Sequence, residues 1–288
     1  MIKRFLPSKK INFPIILCLL LILIIIDGRV FKTTITGEIG CKDYVDEYYS
    51  LTQNLIIPDN LAVMPWETVI KDGNEFDVMQ YFKPLDHLSL EPGYVLDYVY
   101  HKNMSSGIPV LYARAIDQTP YLTFDQYQHA FNLSDQAQQE NKLHHGYLDH
   151  IKIDGTPEGY IQFVLLSETA DQFYLWWHAN YNDYRLLCDT IDAINILSIL
   201  ENGDSLPGDN EFRKKSIAQS KETIRNFNLT PTIQFTKDGA VVSVVYFSLW
   251  EGFNRTAYIV SLDFPHQIIQ GDTINILEYQ SGIIFRYR

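Results

Sequence analysis

The chain has 288 residues, of which 46% are hydrophobic and 20% are charged, and its formal net charge is −12. This is the composition of an ordinary globular protein, and it excludes an intrinsically disordered chain. An acidic surface repels phosphate backbones, so nucleic acid is not an expected partner.

The first segment of the chain predicts a membrane anchor. Residues 1–10 form a basic tail, and residues 11–26 form an uncharged apolar run. As a helix this run would be about 24 Å long, against roughly 30 Å for the hydrocarbon core of a bilayer. No small-residue cleavage pattern follows it. We therefore expect an uncleaved transmembrane anchor, with a cleaved signal peptide as the alternative.

The charge distribution predicts how this anchor is oriented. Four of the 23 basic residues precede the apolar run, which leaves 19 basic residues beside all 35 acidic ones and a formal charge of −16. The positive-inside rule keeps the N-terminus in the cytoplasm and sends residues 33–288 across the cell membrane. The sequence thus predicts a single-pass protein with one extracytoplasmic domain, periplasmic or extracellular.

The cysteines agree with that compartment. Cys18 lies in the apolar run, so Cys41 and Cys188 are the two cysteines of the domain. An oxidising compartment favours a disulfide between them. Two unrelated buried thiols are the alternative.

The first half of the domain has the patterns of short helices and one hairpin. Residues 94–101 and 109–115 are predicted strands, and the link between them contains Gly107. Helical spacing and turn residues predict helices over residues 41–56, 77–90, 123–131 and 134–144.

The second half is predicted to be richer in strands. Helices are expected over residues 189–200 and 209–227, and the linker-like residues 201–208 between them are a candidate internal boundary. Strands are predicted over residues 160–166, 172–178, 184–187, 232–235, 241–250, 258–262, 274–279 and 283–287. Hairpin-like strands with helices in separate blocks indicate an α+β fold with antiparallel sheets.

One short segment has residues suited to binding a metal. Glu140 and His144 are four residues apart on a predicted helix, and His150 follows closely. The same pattern is typical of a helix C-terminus, where histidine is favoured by the helix dipole. We favour that structural interpretation, and no cofactor is expected.

The stretch QFYLWWHANYND, residues 172–183, is the strongest candidate for a site. On a strand, Trp176 and His178 would share one face, and Asn180 and Asp183 would lie in the loop that follows. One interpretation is a core strand that runs into a polar turn. The other is a ligand site at a strand end, with Trp176, His178 and Asn180 as binding residues.

Asp97 is the second candidate, because a carboxylate on an apolar strand face needs a partner. It is expected either to pair with Arg114 on the other hairpin strand or to act as an acid or base beside His101.

Three functions remain open, since the chain has no compact catalytic motif. The first, which we favour, is a non-enzymatic domain that binds a protein or envelope component or has a structural role. The second is an anchored hydrolase-like enzyme with a dispersed site drawn from His178, Asp183, Asp97 and His101. The third is a small-ligand binder with an aromatic pocket. Convergence of His178, Asp183 and another ionisable group in one pocket would favour the enzyme.

Overall fold

The computed structural model describes residues 36–64, 67–131, 146–202, 210–249 and 251–277. All of these residues belong to one compact unit. Within them lie five α-helices, named α1 (Lys42–Ser50), α2 (Phe124–Ala130), α3 (Pro157–Thr169), α4 (Thr190–Asn202) and α5 (Asn210–Ile224). Short 3-10 helices occur at Val78–Phe82, Gly146–His150 and His178–Asn182.

The strands form three antiparallel sheets. In chain order they are β1 (Thr36–Glu38), β2 (Leu88–Leu90), β3 (Tyr94–Lys102), β4 (Ser106–Ala115), β5 (Ile151–Ile153), β6 (Trp176–Trp177), β7 (Arg185–Leu187), β8 (Thr232–Phe235), β9 (Ala240–Ser248), β10 (Gly252–Val260) and β11 (Ile268–Leu277). The large sheet has the order β1-β8-β9-β10-β11, and the smaller sheets are β3-β4-β6 and β2-β5. The predicted α+β class with antiparallel sheets is therefore confirmed.

Strand β7 joins the large sheet at a place that matters for the site. It pairs with residues 245–247 of β9, whereas β8 pairs with residues 240–243 along the same edge. Cys188, the residue after β7, forms a disulfide with Cys41, the residue before α1. Strand β7 is thus fixed both to the sheet and to the start of α1.

Helix α3 lies at the centre of the core. Its residues 159–167 are all buried, and it shares one hydrophobic cluster with Val242 and Val244 of β9 and with Leu96 of β3. The opposite face of β9 presents Val245 and Phe247 to a second cluster, which contains residues of α4 and α5. The large sheet is therefore covered by helices on both faces.

The strand predicted over residues 160–166 is wrong, because these residues lie within α3. A helix that is buried on every side has no polar face, so the run YIQFVLL lacks the 3.6-residue period. The helical signal lies at its start. Thr156 caps the helix by accepting a hydrogen bond from the Gly159 amide at 3.1 Å, and Pro157 occupies the first helical position.

The strand predicted over residues 172–178 is also wrong, since only Trp176 and Trp177 form a strand. Tyr174 and Trp177 have φ angles of 51° and 53°, far from the values of a regular strand, so an extended run cannot continue through residues 172–178. The helix predicted over residues 77–90 is wrong in its second half, where residues 88–90 form β2.

The remaining elements match the prediction or cannot be compared with it. The predicted hairpin is confirmed, with β3 and β4 paired from Tyr94↔Ala115 to Lys102↔Gly107. The predicted anchor (11–26), helix (134–144) and strand (283–287) and most of the linker (201–208) lie outside the described residues. Of the helices that the structure does describe, none is long and apolar enough to cross a bilayer.

Candidate ligand-binding cleft

Asp97 belongs to a buried ion cluster. Its carboxylate accepts hydrogen bonds from Lys71 Nζ at 2.8 Å and from Arg114 Nε at 3.0 Å, so the pairing with Arg114 that the hairpin predicted is present. Lys71 also donates to the Tyr98 carbonyl at 2.7 Å. Burial alone would raise the pKa of Asp97, but the charge of Lys71 and these hydrogen bonds outweigh it, and the pKa is lowered. This arrangement suits a structural role.

His101 lies elsewhere, with its ring against that of Phe124 at a centroid distance of 4.2 Å. It lines a cleft of about 290 Å³ with Lys102 and Glu67, whereas Asp97 lines a different cleft of about 330 Å³. The two residues are therefore not brought together as an acid and base.

The predicted metal ligands are only partly within the described residues. Glu140 and His144 lie outside them. His150 Nδ1 is 2.9 Å from Glu91 Oε2, and its ring stacks on Tyr94 at 3.9 Å. In the part of the chain that the structure describes, no group of three or more metal-binding side chains occurs.

Trp176 and His178 also lie away from a shared pocket. Lys102 Nζ lies 4.2 Å from the centre of the Trp176 ring, and Trp177, which is 51% exposed, stacks on His178 at 4.5 Å. Trp177 has φ 53° and ψ −117°, a region that side chains strongly disfavour. Such local strain is concentrated at functional sites, so the residues around Trp177 are candidates for a binding site.

A polar cleft of about 180 Å³ lies beside this strained segment. One wall is the end of α1 and the turn after it, with Tyr49, Thr52 and Gln53. The other wall consists of residues from two stretches, 172–175 and 180–185, namely Gln172, Phe173, Tyr174, Leu175, Asn180, Asp183 and Arg185. Leu55 and Ile57 complete the lining.

The walls are held in place by Tyr49. Its hydroxyl accepts a hydrogen bond from the Leu186 amide at 2.7 Å, which joins α1 to β7 across 137 positions of sequence. The disulfide adds a second link between the same two elements. The cleft therefore lies between two elements that are joined to each other, and turns and loops next to them supply most of its lining.

Two charged groups lie at one end of the cleft. Arg185 Nε is 3.5 Å from Asp183 Oδ2, which is longer than an ordinary hydrogen bond. Within the described residues, the other recorded contact of the guanidinium is with the ring of Tyr49, 5.7 Å from its centre. Most N–H groups of Arg185 thus remain available to an anion. Burial raises the pKa of Asp183, and the charge of Arg185 only partly opposes this.

A third polar side chain of the cleft is that of Gln172. Gln172 donates from Nε2 to Asp171 at 3.0 Å, whereas its Oε1 is buried and has no hydrogen-bond partner among the residues described. An unpaired buried acceptor is unfavourable by about 1–3 kcal/mol and requires an explanation. Gln172 lines the cleft, so its amide is a neutral hydrogen-bonding group that a rearranged side chain could offer to a ligand there.

The cleft contains some of the predicted site residues and omits others. Asn180 and Asp183 line it, but Trp176 and His178 do not. Arg185 and Gln172 were missed. Asp183 and Arg185 are separated by one residue, so both side chains point to one side of an extended segment. This spacing is the sequence signal that could have identified Arg185.

None of the protein-family models, curated proteins and solved structures that were compared with this chain matches it. The interpretation of the cleft therefore rests on its own residues.

Proposed function

We propose that the chain is a membrane-anchored extracytoplasmic protein that binds a small polar ligand in this cleft. The ligand carries an anionic group, which Arg185 binds, and an N–H or O–H group, which donates to Gln172. The observation that carries the proposal is the incompletely paired guanidinium of Arg185 in a concave polar cleft, which Gln172 also lines.

The same geometry favours binding over hydrolysis. His178, the base that a hydrolase would need beside Asp183, is not among the lining residues, and neither Asp97 nor His101 is. Asp183 lies beside Arg185, which suits a group that positions a ligand. We therefore propose a binding protein and not an enzyme.

The proposed location rests on separate support. The Cys41–Cys188 disulfide is typical of an oxidising compartment, and the basic tail and apolar run suit an anchor with the domain outside. A reporter fused to the C-terminus tests this. Activity of a reporter that works only outside the cytoplasm is expected, and activity of one that works only in the cytoplasm would contradict the proposal.

N-acetylglycine is a suitable probe of the cleft, because it carries a carboxylate and an adjacent amide N–H. Its binding to the full-length chain in lipid nanodiscs can be measured by ligand-observed NMR. We expect saturable binding that weakens more than tenfold in Arg185→Gln, since a charge-assisted hydrogen bond contributes about 1.5–3 kcal/mol.

Arg225→Gln is the matched control, because Arg225 pairs with Glu222 on an exposed surface away from the cleft. It should bind the probe as the wild type does. Absence of saturable binding to the wild type, or equal binding by Arg185→Gln, would contradict the proposed function.

A further inference from the structure

A second, apolar groove shares the two charged residues of the cleft. It has a volume of about 190 Å³, and Asp183 and Arg185 line it as they line the polar cleft. Among the residues that the structure describes, its remaining lining is hydrophobic, with Ile196, Ile199 and Leu200 from α4, Phe247 from β9 and Leu249 just after β9. The polar cleft and the apolar groove, called here the head cleft and the tail groove, therefore adjoin at this ion pair.

The tail groove leaves hydrophobic surface open to water. Ile199 is 70% exposed, although it faces a concave surface that Phe247 and Leu249 share. Single exposed hydrophobic residues are ordinary on a protein surface. A concave hydrophobic surface that continues from a polar cleft is instead typical of a ligand site.

We infer that the ligand is a small amphiphile whose anionic head lies in the head cleft and whose short apolar tail lies in the tail groove. This inference rests on the proposed function, because the head is the ligand group already assigned to Arg185 and Gln172. Asp183 and Arg185 border both spaces, so a ligand bound to Arg185 lies beside the tail groove as well.

The charged residues shared by the head cleft and the tail groove determine which head group can bind. The Arg185 guanidinium is 39% exposed and has donors left for a carboxylate or phosphate. Asp183 repels such a head when it is ionised, so the head binds through the donors of Arg185.

The volume of the tail groove limits the tail. A space of about 190 Å³ admits a short tail of a few carbons and not a long acyl chain. Longer tails would extend into solvent and gain nothing further.

A series of N-acylglycines from acetyl to decanoyl tests the inference, because the head is constant and the tail grows by methylene groups. The full-length chain is titrated in lipid nanodiscs, with empty nanodiscs as the blank, since a detergent would itself be an amphiphile. We expect the dissociation constant to fall by up to about fourfold per methylene, and to level off once the tail fills the groove.

Two substitutions on α4 test whether the ligand tail lies in the tail groove. Ile199→Ser should reduce the gain per methylene, because Ile199 lines the tail groove. Ile191→Ser should behave as the wild type, since Ile191 is 61% exposed on the same helix but does not line the groove.

The outcomes separate this inference from the proposed function. If no N-acylglycine binds, the proposed function fails and the inference fails with it. If all members bind with equal affinity, the head cleft stands and the amphiphile is overturned. A change of sedimentation coefficient in Ile199→Ser alone, without dependence on tail length, would assign the tail groove to a second copy of the chain and would also overturn the inference.

Discussion

At the scale of single residues, Asp97 is the clearest case of a side chain with a structural role. It neutralises Lys71 and Arg114, and all three side chains are at most 16% exposed. Asp97→Asn would leave two buried cations without a counter-charge, and we expect it to lower the free energy of unfolding by about 3–5 kcal/mol. Urea denaturation followed by circular dichroism measures this loss.

Asp46→Asn is the control for Asp97→Asn, because Asp46 pairs with Lys42 on the surface and is 61% exposed. Its effect should stay below about 1 kcal/mol. Equal effects of the two substitutions would contradict a buried ion cluster at Asp97. The sequence pointed to Arg114, since strand pairing places it beside Asp97, but Lys71 lies outside regular structure and no periodic pattern could reveal it.

Glu168, near the C-terminal end of α3, provides a prediction about pH. Burial raises its pKa to about 7, against a hydrogen bond from Tyr258 that lowers it, and the charge of Asp171 raises it further. A glutamate in the unfolded chain has a pKa of about 4.3. The folded protein therefore binds more protons than the unfolded chain between these two values, so stability falls as the pH rises from about 4.5 to 7.

The expected loss from Glu168 over this window is roughly 2–3 kcal/mol, at about 1.4 kcal/mol per pKa unit. Glu168→Gln removes the titrating group and keeps the shape. We expect the variant to show a flatter profile of unfolding free energy between pH 4.5 and 7 and to be the more stable protein at pH 8. Superimposable profiles of variant and wild type would show that Glu168 is not the group that titrates.

At the scale of elements, the errors of the sequence analysis have a common cause. Both wrong strands, at residues 160–166 and 172–178, are dense hydrophobic runs in which periodicity carries no information. For α3 the signal was at its N-terminus, in Thr156 and Pro157. For residues 172–178 no local signal was available, because tyrosine and tryptophan are not residue types that favour the positive φ angles found at Tyr174 and Trp177.

The strained backbone of Trp177 leads to a prediction for this segment. Glycine tolerates φ 53° and ψ −117°, whereas alanine retains the strain of about 1–3 kcal/mol. Trp177→Gly should therefore be more stable than Trp177→Ala by about 1 kcal/mol. Thermal unfolding of the two variants measures the difference directly, because both lack the indole ring.

The neighbouring residue provides the comparison for this pair. Trp176 lies in the same short strand but is not among the residues with positive φ, so Trp176→Gly should be less stable than Trp176→Ala by about 0.5–1 kcal/mol. The same order of stability at both positions would mean that Trp177 is not strained.

At the scale of the whole molecule, the fold class was more predictable than the candidate site. Alternating strands and turn residues are local signals, and the hairpin and the antiparallel sheets follow from them. The head cleft joins the end of α1 to β7, and the hydrogen bond from Leu186 to Tyr49 spans 137 positions. Local sequence patterns cannot show that Thr52 and Arg185 line the same cleft. For this reason Arg185 and Gln172 were not predicted as site residues.

The disulfide connects this long-range geometry with stability and binding. Cys41 precedes α1 and Cys188 follows β7, so the bond joins the two elements that form opposite walls of the head cleft across 147 positions. Reduction frees a long loop in the unfolded chain, and we expect it to lower the free energy of unfolding by about 2–5 kcal/mol. Because the disulfide is one of the links between these walls, reduction should also weaken N-hexanoylglycine binding.

Cys41→Ser and Cys188→Ser, alone and together, distinguish the bond from an unrelated effect of the reductant. Each single variant should lose as much stability as the double variant, because either change removes the same bond. The double variant should no longer respond to dithiothreitol. Additive losses from the two single variants would indicate two separate buried thiols, and the support that the disulfide lends to an extracytoplasmic location would be lost with it.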